Sequence, residues 1–476
     1  MTQTFLNRLD EAPGDSVAVI DDQVMITYGA LRDTAMRVSA GIVDRCGSKQ
    51  YVIVRAAPTA RFVTTLMAVM YSGNTPIPVA GDLPPDDLEF IRRKSHAALT
   101  VDQMDVQSLK SETGRDARDA SLPALVMFTS GTTGYPKGVV LSHGNILHSC
   151  EAISNYLQYT SHPSAAVVLP LHYSYALLSQ VFCQLYQHGR VRLFPHLRNP
   201  LKVAREIEAR KLETFCGVPS TFHALAEFHR LKPLSMRSVK ILCSAGAAMN
   251  RARFAEVKEI FPEALFFNNY GMTEAAPRIS YVCEADPRFD EPTCGRPMDG
   301  VEVKVVHPDT HEGLPDGEFG VLAVKGPNIT SGYLNDGELT RESFTRDGYL
   351  LSGDNAYLDK GYIFLNGRRD DIFNVSGEKV APLEIERVLN EIPAVDMSAV
   401  TGVPDPQRGM QPIAFVKLNR PATRKEIVEH IQHKLVPIKL PRRYFEVADF
   451  PMTSNGKLRR RDLSLNECRH VIREID

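Results

Sequence analysis

One stretch carries more chemistry than any other: Phe128-Thr129-Ser130-Gly131-Thr132-Thr133-Gly134-Tyr135-Pro136-Lys137-Gly138, which follows an apolar run. Glycines let the backbone turn so that its N–H groups point into one concavity, and hydroxyls and a lysine surround that space. The combination suits a polyphosphate. The spacing is not that of a Walker A loop, which needs four residues between its glycines and a Lys-Ser/Thr pair. A solvated Gly/Thr turn accounts for any three of these residues, and poorly for all eleven in a row.

Further groups lie downstream. In Tyr270-Gly271-Met272-Thr273-Glu274 an aromatic face can stack on adenine, a hydroxyl can bond a phosphate and a carboxylate can hold Mg²⁺. Ser352-Gly353-Asp354, Gly367-Arg368-Arg369-Asp370-Asp371, Asn374-Val375-Ser376-Gly377-Glu378-Lys379-Val380 and Pro451-Met452-Thr453-Ser454-Asn455-Gly456-Lys457 follow in that order. Taken alone, a Gly-Asp pair is a turn and a charge run is a solvated face. Arg459-Arg460-Arg461 reads as a solvated turn, and His430 and His433, with no third ligand near them, as surface residues.

In this order and company the stretches resemble the adenylate-forming superfamily of acyl-CoA synthetases, luciferases and nonribosomal peptide adenylation domains, over residues 25 to 460. The resemblance implies that Thr129, Ser130, Gly131, Thr132, Thr133, Gly134 and Lys137 form the phosphate loop. Gly246, Ala247, Ala248, Asn269, Tyr270, Gly271 and Met272 would border the nucleotide, Thr273 the α-phosphate, and Glu274 would hold Mg²⁺. Asp354 would accept from the ribose hydroxyls, and Arg368 would contact ribose or phosphate. Asp370 would be the pivot of a mobile C-terminal domain, Gly377 would sit beside a pantetheine arm, and Lys457 would be the adenylation lysine.

The chemistry so implied joins two anions. A carboxylate is a poor acyl donor until attack on the α-phosphorus of ATP turns its oxygen into part of a good leaving group, AMP. Catalysis is then positioning and charge neutralisation. No enzyme nucleophile is required, and the chain has no Gly-x-Ser-x-Gly elbow. The implied cofactors are ATP and Mg²⁺, with CoA or a phosphopantetheine thiol as acceptor. The segment Pro170–Leu177 corresponds to the acyl pocket; it lacks the aspartate that would hold an α-ammonium, which argues against an amino acid. Tyr173, Ala176 and Ala245 tighten the pocket, Ser174 and Tyr175 can offer hydroxyls and Ser244 borders it, so an aromatic or a short-to-medium aliphatic acid is expected. Three readings stand: an acid–CoA ligase, an enzyme loading a carrier protein in trans, and a degenerate nucleotide-binding relative.

These residues need a frame. From residue 124 onward short apolar runs alternate with amphipathic segments, which implies an α/β fold with largely parallel sheets. Strands are expected at Ala124–Phe128, Gly138–Leu141, Ala165–Leu171, Arg190–Phe194, Glu213–Val218, Val239–Cys243 and Leu265–Asn268. Helices are expected behind Ser142, over Ala176–His188 and Pro200–Leu212, and behind Ser220 and Asn250 as caps. After residue 290 the texture becomes β-rich, as in a small barrel or distorted sheet, and then compact α+β. The expected division is an N-terminal domain, 1–369, holding ATP and acid, and a mobile C-terminal domain, 370–476.

Bulk properties narrow the partners. A net charge of −2, with 43% hydrophobic and 24% charged residues, gives no reason to expect nucleic acid or an anionic membrane surface. Eight scattered cysteines without a Cys-x-x-Cys pair argue against a disulfide scaffold or structural zinc. No run approaches the length of a membrane span and no leader pattern opens the chain, so a cytosolic setting is expected.

Overall fold

The computed structural model describes residues 4–102, 122–129, 136–246, 251–452, 458–463 and 471–475, without the side chains of 251–253 and 461. The chain forms two compact units. The first comprises Met1–Gly246, Val257–Val303 and Val324–Leu350; the second comprises Ala247–Glu256, Lys304–Ala323 and Leu351–Asp476.

Among the described residues, the largest sheet of the first unit has nine strands. Their spatial order is Arg296–Pro297, Ser280–Cys283, Leu265–Tyr270, Ile241–Ala245, Thr214–Gly217, Ser164–Val167, Arg190–Leu193, Val17–Ile20 and Met25–Thr27. The six strands from Leu265–Tyr270 to Val17–Ile20 are mutually parallel, and the edges are antiparallel. Ser164–Val167, Thr214–Gly217 and Ile241–Ala245 are buried at every position. A parallel sheet covered on both faces explains why these strands read as unbroken apolar runs rather than alternating ones. Arg192 departs from that rule, at 1% exposure in a central strand; Asp22 and Glu206 both bind its guanidinium, Glu206 at 2.5 Å, so the buried charge is compensated.

Helix starts follow local chemistry. Ser142 accepts from Asn145 N while the Asn145 side chain accepts from Ser142 N, a capping box that opens the helix His143–Tyr156. Asn199 caps Pro200–Arg210. Ser220 does not cap: its helix opens one residue earlier at Pro219, because proline's fixed φ suits the first helical position. The helix expected over Ala176–His188 is broken into Ser174–Ala176, a π-helical turn Leu177–Phe182, and Cys183–Tyr186. Asn250 lies outside the described residues.

Two small sheets also belong to this unit. Thr75–Ala80, Tyr51–Ala56 and Leu99–Val101 are parallel. Gly332–Tyr333, Lys137–Ser142 and Pro123–Thr129 are antiparallel. Ile53, Ile77, Val79, Ile91, Val126 and Leu334 form one buried cluster between them, so the strand Pro123–Thr129 is anchored in a core.

A four-stranded sheet, most of whose residues belong to the second unit, runs Glu302–Val306, Gly320–Lys325, Leu350–Asp359, Tyr362–Arg368. This is the β-rich region, and it includes a long strand, Leu350–Asp359, where the sequence reads only a Gly-Asp turn. A second sheet is built on the hairpin Val395–Asp405/Gly409–Leu418. Its core contains Val375, Val380, Ile385, Leu389, Val400, Ala414, Ile427, Ile431 and Tyr444. Arg460 is not a solvated turn residue: its side chain is 20% exposed and is bound by Glu386, itself 7% exposed, and by Asp371 at 3.3 Å. No helix among the described residues is long and apolar enough to cross a membrane.

Candidate active site

Within the first unit, the register of two strands brings together the two ends of the stretch 129–137. Thr129 stands directly opposite Lys137 where Pro123–Thr129 and Lys137–Ser142 pair. Ser130, Gly131, Thr132, Thr133 and Gly134 lie outside the described residues, as do Ala247, Ala248 and Lys457.

Strand Leu265–Tyr270 delivers the second motif. Asn269 and Tyr270 end the strand, Met272 is extended, and Thr273–Ala275 forms a single 3₁₀ turn. Gly271 is required by close approach: a Cβ there would lie 2.0 Å from Pro277 O and 2.8 Å from Arg278 Cα. The turn presents Thr273 Oγ1 at 2.9 Å from Ser174 Oγ. The motif 270–274 and the segment 170–177 therefore meet at hydrogen-bonding distance, 99 residues apart in sequence.

Glu274 is 9% exposed, and Oε1 accepts from the Tyr333 hydroxyl at 2.9 Å. Lys137 Nζ stands 5.8 Å from the centre of the same Tyr333 ring. Tyr333 thus links the lysine of one motif to the carboxylate of another. It sits there because Gly332–Tyr333 pairs with Val140 and Val139 on the strand that begins at Lys137.

The acyl segment packs over the parallel sheet. Ala176 is fully buried, the Tyr173 ring lies 4.0 Å from that of His172, and the Tyr175 hydroxyl donates to Cys243 O at 3.4 Å. Burial pushes the His172 imidazole down to about 4. Strand alternation puts Cys243, Ala245 and the in-register Asn269 on one face and Ser244 on the other, and Gly246 closes the strand end. Ser244 Oγ is buried with no partner among the described residues.

A polar network underlies that segment. Arg278, 1% exposed, donates to Tyr156 Oη at 2.5 Å and Ser179 Oγ at 3.3 Å; Tyr156 also bonds Asn269 at 2.9 Å. The Tyr175 and Tyr156 rings lie 5.6 and 5.9 Å from the guanidinium carbon. Burial raises both phenols well above their ordinary value, so they stay neutral. The Cys243 hydrogen bond, helped by the Arg278 charge, holds the Cys216 thiol below its usual value.

In the second unit Asp354 and Arg368 face each other across paired strands, 3.9 Å apart. Asp370 is exposed in the short turn Arg369–Asp371. Ser376 and Gly377 both have positive φ, 51° and 88°, and make the two-residue turn between Phe373–Val375 and Glu378–Val380. A Cβ at Gly377 would meet nothing within 4 Å, so backbone conformation, not crowding within this unit, asks for glycine.

Comparison with known proteins matches residues 5–334 to the AMP-binding enzyme family and residues 384–457 to the AMP-binding enzyme C-terminal domain. The chain belongs to the AMP-binding enzyme family. Its relatives include malonate–CoA ligase of Arabidopsis thaliana, 27% identical over 94% of this chain and 86% of that protein. Another is 4-coumarate–CoA ligase CCL1 of Humulus lupulus, 27% identical over 92% of this chain and 88% of that protein. ATP-bound MatB from Rhodopseudomonas palustris shares the fold, with a TM-score of 0.88 at 24% identity, covering 97% and 98% of the two chains.

For an AMP-binding enzyme the surroundings of Glu274 fit a magnesium ion. Its carboxylate is nearly buried, accepts from a phenol hydroxyl, and is paired with no lysine or arginine among the described residues, which leaves oxygen donors for a hard cation. Three participants escape sequence reading. Tyr333 lies in a two-residue strand with no local signature. Tyr156 ends an ordinary amphipathic helix. Arg278 is a lone cation just before the half-buried strand Ser280–Cys283, and nothing around it in sequence marks it as buried.

Proposed function

We propose that this chain is an AMP-forming acid–CoA ligase that uses Thr273, Ser174 and their neighbours to hold the acid against the nucleotide. The observation that carries the reading is the 2.9 Å contact between Thr273 Oγ1 and Ser174 Oγ, which joins the phosphate motif to the acyl segment. The relatives are CoA ligases, which supports CoA as the thiol acceptor.

In the first half-reaction a carboxylate oxygen of the acid attacks the α-phosphorus of ATP, and the bond to the β-phosphate breaks to release pyrophosphate. Lys137 and the loop 129–134 would neutralise the departing phosphates, and Thr273 would donate to an α-phosphate oxygen. Glu274 would hold Mg²⁺, oriented by Tyr333; the ion supplies positive charge to the phosphates. Asp354 would take the ribose hydroxyls beside Arg368. Lys457 is the residue assigned to bridge the α-phosphate and the acid. All of these roles place or neutralise charge, which is how a protein chiefly accelerates phosphoryl chemistry of this kind.

In the second half-reaction the CoA sulfur, having lost its proton, attacks the acyl carbon and AMP leaves. The family resemblance assigns Asp370 as pivot and Gly377 to the pantetheine path. The division near residue 370 is supported by the two family matches, which end at 334 and resume at 384.

The test is product analysis with ATP, a pooled acid panel and either CoA or a phosphopantetheinylated carrier protein. AMP, pyrophosphate and an acyl-CoA in equal amounts are expected. ADP as product overturns the AMP-forming reading, and acylated carrier without acyl-CoA overturns CoA as acceptor.

A further inference from the structure

Among the described residues, Arg278 is a buried cation with no carboxylate paired to it. Its guanidinium has five N–H donors and is always charged. Among the described residues its hydrogen-bond partners are the Tyr156 and Ser179 hydroxyls, and the rings near it are Tyr156 and Tyr175. Arg192, the other large buried arginine of this unit, is held by two carboxylates. A protein that compensates one buried arginine so fully leaves the second with neutral partners. Uncompensated charge at 1% exposure is expensive, so a place like this is kept for a counter-charge that arrives with a ligand.

Its position names the ligand. The backbone of Arg278 is pinned, since Asn328 Nδ2 donates to Ala275 O at 2.8 Å and to Arg278 O at 2.9 Å. The side chain extends beneath Tyr175, one residue from the Ser174 that touches Thr273. Cys243 and Ala245 share one face of their strand, and Cys243 O is the acceptor of the Tyr175 hydroxyl. Thr273 touches Ser174 and Arg278 lies against the ring of Tyr175, so two adjacent residues of the segment 170–177 meet the two groups.

We propose that Arg278 is a specificity-determining residue that binds a second carboxylate of the acid, so that the preferred substrates are dicarboxylic acids activated at one end. The inference rests on the ligase reading above and narrows its substrate. A guanidinium fork matches a carboxylate in two parallel hydrogen bonds, and a site built for such a group rejects the analogue that lacks it far more strongly than an apolar pocket rejects a methyl group. The other candidate counter-charge is the Cys216 sulfur, which would make Arg278 purely structural and leave the acid site without a preference for a second charge.

The experiment compares kcat/KM for acyl-CoA formation with pairs that differ only in carboxylate against methyl: malonate and propanoate, succinate and butyrate, glutarate and pentanoate, isophthalate and 3-methylbenzoate. The wild-type enzyme is expected to favour one diacid over its partner by roughly 100-fold or more. Arg278→Met should lose that preference and gain on the monoacid, and Arg278→Lys should keep part of it, with ATP binding and melting temperature recorded for each. If Arg278→Met does not fold, the wild-type ratio alone decides. Turnover of monoacids at least as good as that of diacids overturns the inference and leaves the ligase reading intact. Silence with every acid overturns both.

Discussion

Tyr333 donates its phenolic hydrogen to Glu274 Oε1 at 2.9 Å, across 59 residues of sequence. Two short strands create the contact: the register of Gly332–Tyr333 against Val140 and Val139 aims the phenol at the 3₁₀ turn that carries Glu274. The same ring stands 5.8 Å from Lys137 Nζ. An ordinary-looking tyrosine thereby orders both charged groups assigned to the phosphates.

Removing that hydroxyl should be felt at the metal. Tyr333→Phe takes one hydrogen bond from a nearly buried carboxylate, worth about 1.5–3 kcal/mol for a charged acceptor, so kcat/KM for MgATP should fall roughly 10- to 100-fold. Glu274→Gln should cost more, on the order of 100- to 1,000-fold, because it removes the charge itself. Pyrophosphate exchange measured across a Mg²⁺ titration checks both, and a Tyr333→Phe enzyme indistinguishable from wild type at every Mg²⁺ level contradicts the orienting role.

Lys457→Ala should separate the half-reactions. Acyl-adenylate formation is expected to disappear, while conversion of a supplied acyl-adenylate and CoA to acyl-CoA should persist within a few-fold. Equal loss of the two steps would show that the lysine is not confined to the first.

The Arg460–Glu386 pair should behave as a buried ion pair. Arg460 also donates to Val400 O at 2.6 Å, and Glu386 accepts from Val400 N at 2.7 Å, so each member ties the other to one strand. Glu386→Met or Arg460→Met alone should destabilise by about 3–5 kcal/mol, and the double substitution by clearly less than the sum. Equilibrium urea unfolding of the four proteins reads the coupling; additive losses would mean that the pair does not act as a unit.

His172 predicts a pH dependence. Desolvation lowers its pKa from 6.5 to about 4 in the folded chain, so between those values the unfolded chain binds a proton that the folded one does not. Stability is therefore complete above pH 6.5 and declines as pH falls toward 4, by up to about 3 kcal/mol from this group. His172→Asn should flatten that part of the stability–pH curve. A slope unchanged by the substitution would place the acid sensitivity elsewhere.

Much of the frame was legible because parallel strands buried on both faces leave plain apolar runs, as at Thr214–Gly217, and because a capping serine announces a helix, as Ser142 does. Boundaries slipped where a local rule had a rival. Proline at 219 outranked the serine at 220, and the π turn at Leu177–Phe182 interrupts a segment whose periodicity reads as one helix. The motif residues could be found from their own neighbours. Tyr333, Tyr156 and the partners of Arg278 could not, since each acts through a strand register or a packing contact formed by distant chain.

The central claim is that this site activates a carboxylate by adenylation, and acid-dependent exchange of labelled pyrophosphate into ATP tests it most directly. Exchange that needs Mg²⁺ and one class of acid, and needs no CoA, is the expected result. An enzyme that binds ATP but catalyses no exchange with any member of a broad panel of mono- and dicarboxylic acids would contradict the account.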